Sequence, residues 1–564
     1  MNVFKINLKI TLQLFFVIIF FSTLEAKNTN KFNDSGKISD YFSGILLLND
    51  YQYAASYKYL KKLKGLEESH INYSYNFVFS LVNLGKINEA YLYAKKLEKK
   101  NLNTFETDLI IGIYYLKSGK LNLAQKYFLS LKKKNSNLML NNFVSNSIYN
   151  WSSFNEMDIK RAEKELDLID PRFENLKTIQ KAFLHCYFES EKTEFYFKKL
   201  VSDKKVNFSR YNYFYSTYLM SVNKSHQAKQ IIDEALKRYP RNLILNQYKL
   251  DLNLDNNKPN FSCKDQSNII AEIFYITANA LSSQSVYQLS NFYLNLAKYL
   301  NNNFISFNHL LAENYYKLNK LDKAKDIYSR MGKRGSAFNW YTAKQNAKIF
   351  LHEDKNKLAL KTISDTYYNI PEKNIYQTFD FAEFLKDNDQ FDESIKLYSE
   401  VIDKISKNHS LYPEATEGRG VAFERIGDWD KAERDLLDSL EASPDQAYVI
   451  NYLAYSWIEQ GVKIDKSLKM LEKANDLKSN DPYIIDSLGW AFFKLKKYNN
   501  AKKYLQKAVQ LLPADPIVND HYGDVLWKSG KKIQARYYWN YVLNLKETKL
   551  DLKDDIKIKL ISGI

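Results

Sequence analysis

The chain has 564 residues, of which 45% are hydrophobic and 26% charged, a composition typical of folded proteins rather than disordered ones. Glycine and proline are scarce, at 16 and 9 residues, which disfavours sandwiches, barrels and long linkers and favours helices joined by short turns. The formal charge is +17, but only 11 of the 82 basic residues are arginine, so we expect no nucleic-acid partner.

Residues 1–26 have the pattern of a secretory signal peptide. Lys5 and Lys9 precede an apolar run over residues 12–21, and Ala26 is a small residue suited to cleavage. The run is half the length of about 20 residues that a spanning helix needs. We therefore expect export, most simply to a bacterial periplasm, with at most peripheral membrane association. An uncleaved N-terminal anchor is the alternative.

Residues 27–135 carry a short pattern that steps by 34 residues. In each copy two small side chains lie 12 residues apart, although Val78 fits less well; the pairs are Gly44 and Ser56, Val78 and Ala90, and Gly112 and Ala124. Two antiparallel helices approach closely where small residues face each other. Each pair therefore predicts one helical hairpin.

Residues 136–301 are helical by pattern but keep the register only at 205–241. We interpret this segment as degenerate repeats of the same array. It contains both cysteines, Cys186 and Cys263, which lie 77 positions apart and form no CxxC motif. One disulfide and two buried free thiols are both compatible with this spacing, and free thiols are favoured.

Residues 302–548 repeat the pattern most regularly. The small positions of the last four hairpins are Gly420, Ala432, Ala454, Ser467, Gly489, Ala501, Gly523 and Ala535. Prolines recur at the same distance, 12 positions, after a second small residue, here and once in 205–241, where the second helix must end; they are Pro240, Pro371, Pro444 and Pro513. Residues 549–564 alternate charged with apolar side chains, which predicts a C-terminal capping helix.

The order of small, aromatic, alanine and proline positions at period 34 resembles the tetratricopeptide repeat (TPR). The resemblance implies an all-α, right-handed superhelical solenoid of antiparallel hairpins whose concave groove binds proteins. Three C-terminal segments, at 451–457, 486–495 and 519–539, resemble bacterial envelope TPR proteins. Some of those are outer-membrane lipoproteins that deliver substrates to a carboxy-terminal processing protease. This chain has no cysteine after its apolar run to carry such a lipid.

No catalytic, cofactor or metal pattern is present. None of the seven histidines lies within four residues of another. His185 precedes Cys186, but neighbouring residues on a helix point in different directions. The Gly-Lys dipeptides lack the other residues of a phosphate-binding loop. The sequence therefore predicts a protein that is not an enzyme.

First-helix positions of the last three hairpins are the candidate partner-binding groove. These residues are Tyr448, Asn451, Tyr455, Tyr483, Asp486, Trp490, Phe493, Lys494, Asp520, Asp524, Trp527 and Lys528. Aromatic rings among acids and lysines suit a protein or an extended peptide, such as an envelope protease or an assembly factor. They do not match the Lys and Asn cluster of chaperone-binding TPR domains. The alternative is an envelope polymer or lipid surface that binds the lysine-rich faces.

Overall fold

The structure is a computed structural model, and it describes residues 35–133, 139–253 and 260–564. The proposed signal peptide, residues 1–26, lies outside these ranges. All regular secondary structure in the described ranges is helical, so the predicted all-α fold is confirmed. Within those ranges no helix has the length and apolar character needed to cross a bilayer.

The chain divides into two compact units, Met1–Ile349 and Phe350–Ile564, here called the N-terminal and C-terminal units. The helices that begin in the N-terminal unit are α1 Ser35–Asn49, α2 Tyr53–Leu60, α3 Ile71–Asn83, α4 Ile87–Glu98, α5 Phe105–Lys117, α6 Leu121–Lys133, α7 Met139–Ser153, α8 Ile159–Asp167, α9 Glu174–Tyr187, α10 Thr193–Ser202, α11 Ser209–Ser221, α12 Ser225–Arg238, α13 Leu243–Asn253, α14 Gln266–Ser283, α15 Tyr287–Leu300, α16 Ser306–Lys317, α17 Leu321–Gly332 and α18 Ser336–His352. Short 3-10 helices lie at Lys61–Leu63, Leu66–Glu68, Phe154–Glu156 and Pro171–Phe173.

The helices of the C-terminal unit are α19 Asn356–Tyr368, α20 Ile375–Lys386, α21 Phe391–Asp403, α22 Tyr412–Arg425, α23 Trp429–Ala442, α24 Ala447–Glu459, α25 Ile464–Leu477, α26 Pro482–Lys494, α27 Tyr498–Leu511, α28 Pro516–Lys528, α29 Lys532–Asn544 and α30 Leu550–Ser562. From α20 to α29 they pair as consecutive antiparallel hairpins.

Hairpins in the N-terminal unit are joined at the small residues. Ser56 Oγ donates to the carbonyl oxygen of Gly44 across α1 and α2, at 2.8 Å. Ser290 Oγ donates in the same way to Ala278 between α14 and α15, also at 2.8 Å. This second pair lies in the segment whose sequence showed no register, and it has the same 12-residue spacing. The segment 242–300 thus contains a hairpin that the sequence pattern did not indicate.

The first hairpins of the N-terminal unit also contact helices that follow about 200 residues later. Phe79 on α3 stacks on Phe292 of α15, with ring centroids 4.8 Å apart. Lys117 Nζ donates to the carbonyl oxygen of Leu300 at 2.7 Å. The N-terminal unit therefore closes on itself through contacts between its early and late helices.

Cys186 and Cys263 form a disulfide, with their Cα atoms 5.9 Å apart. The expectation of free thiols is therefore wrong. The cause is tertiary: Cys186, near the end of α9, and Cys263, just before α14, are both buried in the core of this unit, which also contains Phe261. Their separation of 77 residues gave no sign of this proximity.

In the C-terminal unit, prolines and aspartates mark the ends of the helices. Pro444 follows α23 and Pro513 follows α27 by two residues each, as residues that cannot continue a helix. Helices α26 and α28 begin with Pro482 and Pro516, and the preceding aspartates, Asp481 and Asp515, accept hydrogen bonds from the first-turn amides. The chain therefore reverses at regular intervals through local interactions alone.

Glycines allow the closest approach between the helices of a hairpin. A Cβ atom added at Gly489 on α26 would lie 2.7 Å from Cγ of Leu505 on α27. One added at Gly523 on α28 would lie 2.5 Å from Nε1 of Trp539 on α29. Both distances are shorter than a carbon atom tolerates, so these positions need glycine.

Candidate partner-binding face

The first helices of the last three hairpins, α24, α26 and α28, present equivalent positions side by side. Tyr448, Asn451 and Tyr455 are spaced i, i+3 and i+7, so they share one face of α24. The corresponding residues are Tyr483, Asp486 and Trp490 on α26, and Ile517, Asp520 and Asp524 on α28. We call this surface the candidate face.

A histidine at the centre of this face links two helices. His521 Nδ1 on α28 lies 2.8 Å from Oδ2 of Asp486 on α26, and both side chains are buried. Burial alone would lower the pKa of His521, but the neighbouring carboxylates, Asp486 foremost, outweigh it and raise the pKa. The second oxygen of Asp486, Oδ1, is buried without a hydrogen-bond partner. A buried carboxylate oxygen of this kind is costly unless something binds it.

Two further carboxylates lie beside the histidine and hold a lysine. Lys559 Nζ, on α30, lies 2.7 Å from Oδ1 of Asp520 and 2.9 Å from Oδ2 of Asp524. Burial and the charge of Asp520 raise the pKa of Asp524 to about 6, against the opposing effect of Lys559. Burial opposes a charged Lys559, but the two carboxylates prevail and raise its pKa. The arrangement is a site for a cationic side chain, which this chain fills itself.

Aromatic rings line the same face. Trp490 stacks on His521 with centroids 3.9 Å apart and on Phe493 at 4.6 Å. Its indole Nε1 donates to Glu459 of α24, and the ammonium of Lys494 lies 4.8 Å from its ring centre. Flat rings bordered by acids combine apolar contact area with polar groups that fix orientation.

At the edge of the face, on α24, Tyr455 is half-buried and Asn451 Oδ1 is buried without a hydrogen-bond partner. Burial, together with the charges of Glu459, Asp486 and Asp520, raises the pKa of Tyr455. The tyrosine hydroxyl therefore stays neutral beside the acids and is available as a hydrogen-bond donor.

The remaining candidates lie at two places. Tyr448 and Tyr483 are about half exposed, and the hydroxyl of Tyr448 donates to Asp481 at 2.9 Å. Trp527 and Lys528, at the end of α28, are contacted by the residues after α30. Lys528 Nζ donates to the carbonyl oxygen of Ile564 at 2.8 Å. The structure thus brings eight of the twelve candidates together, leaves two exposed and places two against the chain's own C-terminal residues.

Besides Ile517, three side chains that contribute to the face were not among the candidates: Glu459, His521 and Lys559. Glu459 occupies the position on α24 that Lys494 occupies on α26, and His521 directly follows Asp520, so the repeat pattern could have found both. Lys559 is 39 residues from Asp520 and follows no repeat, so no sequence signal indicated it. In the described ranges no group of three or more His, Cys, Asp or Glu side chains is arranged to hold a metal ion.

In the N-terminal unit, His185 faces a carboxylate and a serine hydroxyl rather than Cys186. Its ring nitrogens face Glu163 and Ser190, at 2.8 and 3.1 Å, and the neighbouring Cys186 is in the disulfide. The two residues therefore do not act as a pair, as helix geometry predicted.

A family model for the tetratricopeptide repeat matches residues 349–548, nearly the whole C-terminal unit. A curated relative, the TPR repeat-containing protein PA4667 of Pseudomonas aeruginosa, is 26% identical over 121 residues, which is 22% of this chain. The matched segment spans 20% of that relative's length.

Two solved structures, the second of which is described as a TPR protein, are similar to shorter parts of the chain. MamA from Desulfovibrio magneticus is 18% identical and covers 31% of this chain and 97% of its own, with a TM-score of 0.27. TTC0263 from Thermus thermophilus is 14% identical and covers 33% and 99%, with a TM-score of 0.29. The family match and the hairpin geometry described above together identify residues 349–548 as a tetratricopeptide-repeat array.

Proposed function

We propose that this protein is a non-enzymatic scaffold or adaptor of the bacterial cell envelope, which binds a protein or an extended peptide on the candidate face. An envelope protease or an assembly factor is the kind of partner that such an adaptor would serve. TPR arrays are binding modules, and their function depends on the side chains of this face rather than on the fold.

One observation carries the proposal. Equivalent positions on two successive first helices, Asn451 and Asp486, carry buried oxygens that have no hydrogen-bond partner, next to the ring of Trp490. Buried polar atoms in native proteins are almost always satisfied. Amide and ammonium groups of a polypeptide would supply the missing donors, while its apolar side chains would pack on the rings.

The proposal is tested by photo-crosslinking in intact cells. The photoreactive amino acid p-benzoylphenylalanine replaces Tyr448 or Tyr483, which are exposed beside the face, or Tyr537 on α29 as the matched control, which is 69% exposed. We expect discrete polypeptide adducts from the first two positions and none from the third. Adducts that also form at Tyr537, or that persist undiminished in Asn451→Ala, would contradict binding at this face.

The disulfide supports an envelope location, because disulfides form in oxidising compartments and are rare in the bacterial cytoplasm. Both cysteines are buried, so the bond would persist once formed. Osmotic-shock fractionation, with mass measurement of the N-terminus and alkylation of free thiols, tests this location. We expect an oxidised protein in the periplasmic fraction that begins at Lys27. A fully reduced protein in the cytoplasmic fraction would overturn it.

A further inference from the structure

The C-terminal helix α30 reaches the candidate face through one buried lysine. Lys559 inserts its ammonium between Asp520 and Asp524, and its side chain is only 18% exposed. The backbone carbonyl of Leu560 accepts a hydrogen bond from Arg536 of α29, at 3.1 Å. Beyond the helix, Gly563 adopts a φ of +77° and lies against the indole of Trp527, so closely that a Cβ atom would come within 2.0 Å of the ring.

The apolar contribution to this docking comes from a few side chains. Of the 13 residues of α30, Ile556 is fully buried, and Leu552 and Leu560 are partly buried against the same core. Leu550, Ile558 and Ile561 are 80%, 61% and 84% exposed, so about half of the helix's apolar side chains face away from the array. Since apolar burial is the main favourable term in helix packing, the attachment of α30 depends on these three side chains and on the buried lysine.

The site that receives the lysine has more negative charge than the lysine balances. Asp486, Asp520 and Asp524 lie around His521, and all three are at least nine-tenths buried. Asp486 Oδ1 is the atom without a partner. With α30 in place, one carboxylate oxygen of the site is therefore unsatisfied.

We propose that α30 is an internal, displaceable ligand, and that the partner of the candidate face is a polypeptide segment that presents a lysine or arginine flanked by apolar side chains. This inference rests on the proposed function and names the chemistry of the partner. The incoming cation takes the place of Lys559 between Asp520 and Asp524. Further donors of the segment reach the unsatisfied oxygens of Asp486 and Asn451.

The chemistry of the recognition follows from α30 itself. Ile556, Lys559 and Leu560 are the residues of this stretch that face the array, at the spacing i, i+3 and i+4. A partner with a cation and aliphatic side chains at this spacing would pair its cation with the carboxylates and pack its aliphatic groups against Trp527 and the rings of Trp490 and Phe493. An acidic segment would bring like charges together and would be rejected.

Competition in trans tests the proposal with the full chain. The probe is a fluorescein-labelled peptide of residues 550–562, LDLKDDIKIKLIS, and fluorescence anisotropy measures its affinity. The peptide can bind only those chains in which α30 has left the site. The apparent affinity of the protein for the peptide is therefore reduced in proportion to the fraction of chains whose site is free. We therefore expect Lys559→Ala to bind the peptide about tenfold more tightly than the unchanged protein. Lys557→Ala is the matched control, because Lys557 is exposed on the same helix and pairs with Asp554; its affinity stays unchanged.

The lysine of the probe is tested separately. A peptide in which alanine replaces the lysine equivalent to Lys559 should bind at least about tenfold more weakly, the loss of one buried charge-assisted contact. Equal affinity of the two peptides would overturn the proposal. So would undiminished binding to the triple variant Lys559→Ala, Asp520→Asn, Asp524→Asn, provided that circular dichroism shows it folded.

Hydrogen exchange of the unchanged protein avoids any dependence on variants that fail to fold. Saturating peptide should accelerate amide exchange in α30 and slow it in α26 and α28, whereas exchange in α30 that does not change would reject displacement. Failure of this inference can be distinguished from failure of the proposed function. If the proposed function is wrong, cellular crosslinks are absent but the peptide still competes with α30. If this inference is wrong, peptide binding does not depend on the lysine but the cellular crosslinks still form.

Discussion

A buried ion pair in the N-terminal unit offers the sharpest test of the structure. Arg210 on α11 donates from Nε and Nη2 to the two carboxylate oxygens of Glu272 on α14, at 2.8 and 2.7 Å. Glu272 is 1% exposed, and the guanidinium lies 3.9 Å from the ring centre of Tyr275. The pair joins two helices through residues that are 62 positions apart in the chain. The perturbation is Arg210→Met, which roughly keeps the volume and removes the charge.

The expected loss of unfolding free energy depends on how the carboxylate of Glu272 responds when Arg210 is absent. Breaking a buried pair typically costs about 3–5 kcal/mol because one charge stays uncompensated. Glu272 can escape by protonation, which at pH 7 costs about 3.7 kcal/mol from a reference pKa of about 4.3, at about 1.36 kcal/mol per pKa unit. The loss at pH 7 is therefore about 3–4 kcal/mol.

The pH dependence of this loss has a definite sign. Burial raises the pKa of Glu272, and Arg210 opposes that rise. Without Arg210 the pKa rises further, so the folded state of the variant binds a proton that the unfolded state does not. Stability then increases as the pH falls. At pH 5 the cost of protonation is about 1 kcal/mol, and the loss relative to the unchanged protein should shrink to about that value.

Native-state hydrogen exchange of peptides that cover α11 and α14 measures the free energy of opening at pH 7 and pH 5. The control is Arg210→Met with Glu272→Gln, which removes both charges and should lose only about 1 kcal/mol at both pH values. A loss below about 1 kcal/mol at pH 7 in the single variant, or a loss that is equal at both pH values, would refute the reasoning.

Three further predictions concern the hairpin contacts, the histidine and the disulfide. Gly489→Ala should lower the free energy of unfolding of the C-terminal unit by about 1–3 kcal/mol through overpacking, measured by guanidinium denaturation. The pKa of His521 is raised in the folded protein, so its contribution to stability is full below the reference pKa of about 6.5 and is lost as the pH rises through the folded value. Denaturation at pH 6 and pH 8.5 should show this loss of stability, and Asp486→Asn should make the loss smaller. Replacing Cys186 and Cys263 by alanine should cost the N-terminal unit about 2–5 kcal/mol, measured by its thermal transition.

Each of these has a matched control. Gly427 has a φ of +84° and no atom within 4 Å of an added Cβ, so Gly427→Asn should cost less than about 1 kcal/mol; a larger cost there than at Gly489 contradicts the packing argument. If the stability of Asp486→Asn depends on pH as that of the unchanged protein does, then Asp486 does not raise the pKa of His521. Reduction of the intact protein should shift the thermal transition as the double alanine variant does, and no shift in either contradicts the disulfide.

The hairpins were predictable because each is a local structure. Gly489 and Ala501, or Gly44 and Ser56, lie 12 residues apart, and two helices joined by a tight turn have one way to bring such positions together. The equivalence of Asn451, Asp486 and Asp520 along the face follows from the same repeat. The period is therefore visible in the chain before any tertiary contact is considered.

The contacts that give the face its chemistry were not predictable. His521 was set aside in the sequence as an isolated histidine, and only the packing of α28 on α26 brings it to Asp486. Lys559 reaches Asp520 because of the direction in which the chain leaves α29, which no repeat position specifies. The same holds for Phe79 on Phe292 in the N-terminal unit, where contact depends on the accumulated rotation of many hairpins.

Residue order alone specified that this protein is an array of helical hairpins, and the equivalence of first-helix positions in the last three follows from the same repeat. The long-range contacts of the folded chain set the rest: the N-terminal unit closes on itself, two distant cysteines pair, and a lysine from α30 occupies the candidate face. The physical reason is range. The two helices of a hairpin meet at residues about a dozen positions apart, and the sizes of those residues can be read from the sequence. Charge pairing and ring stacking between distant helices depend instead on where the folded unit places each helix.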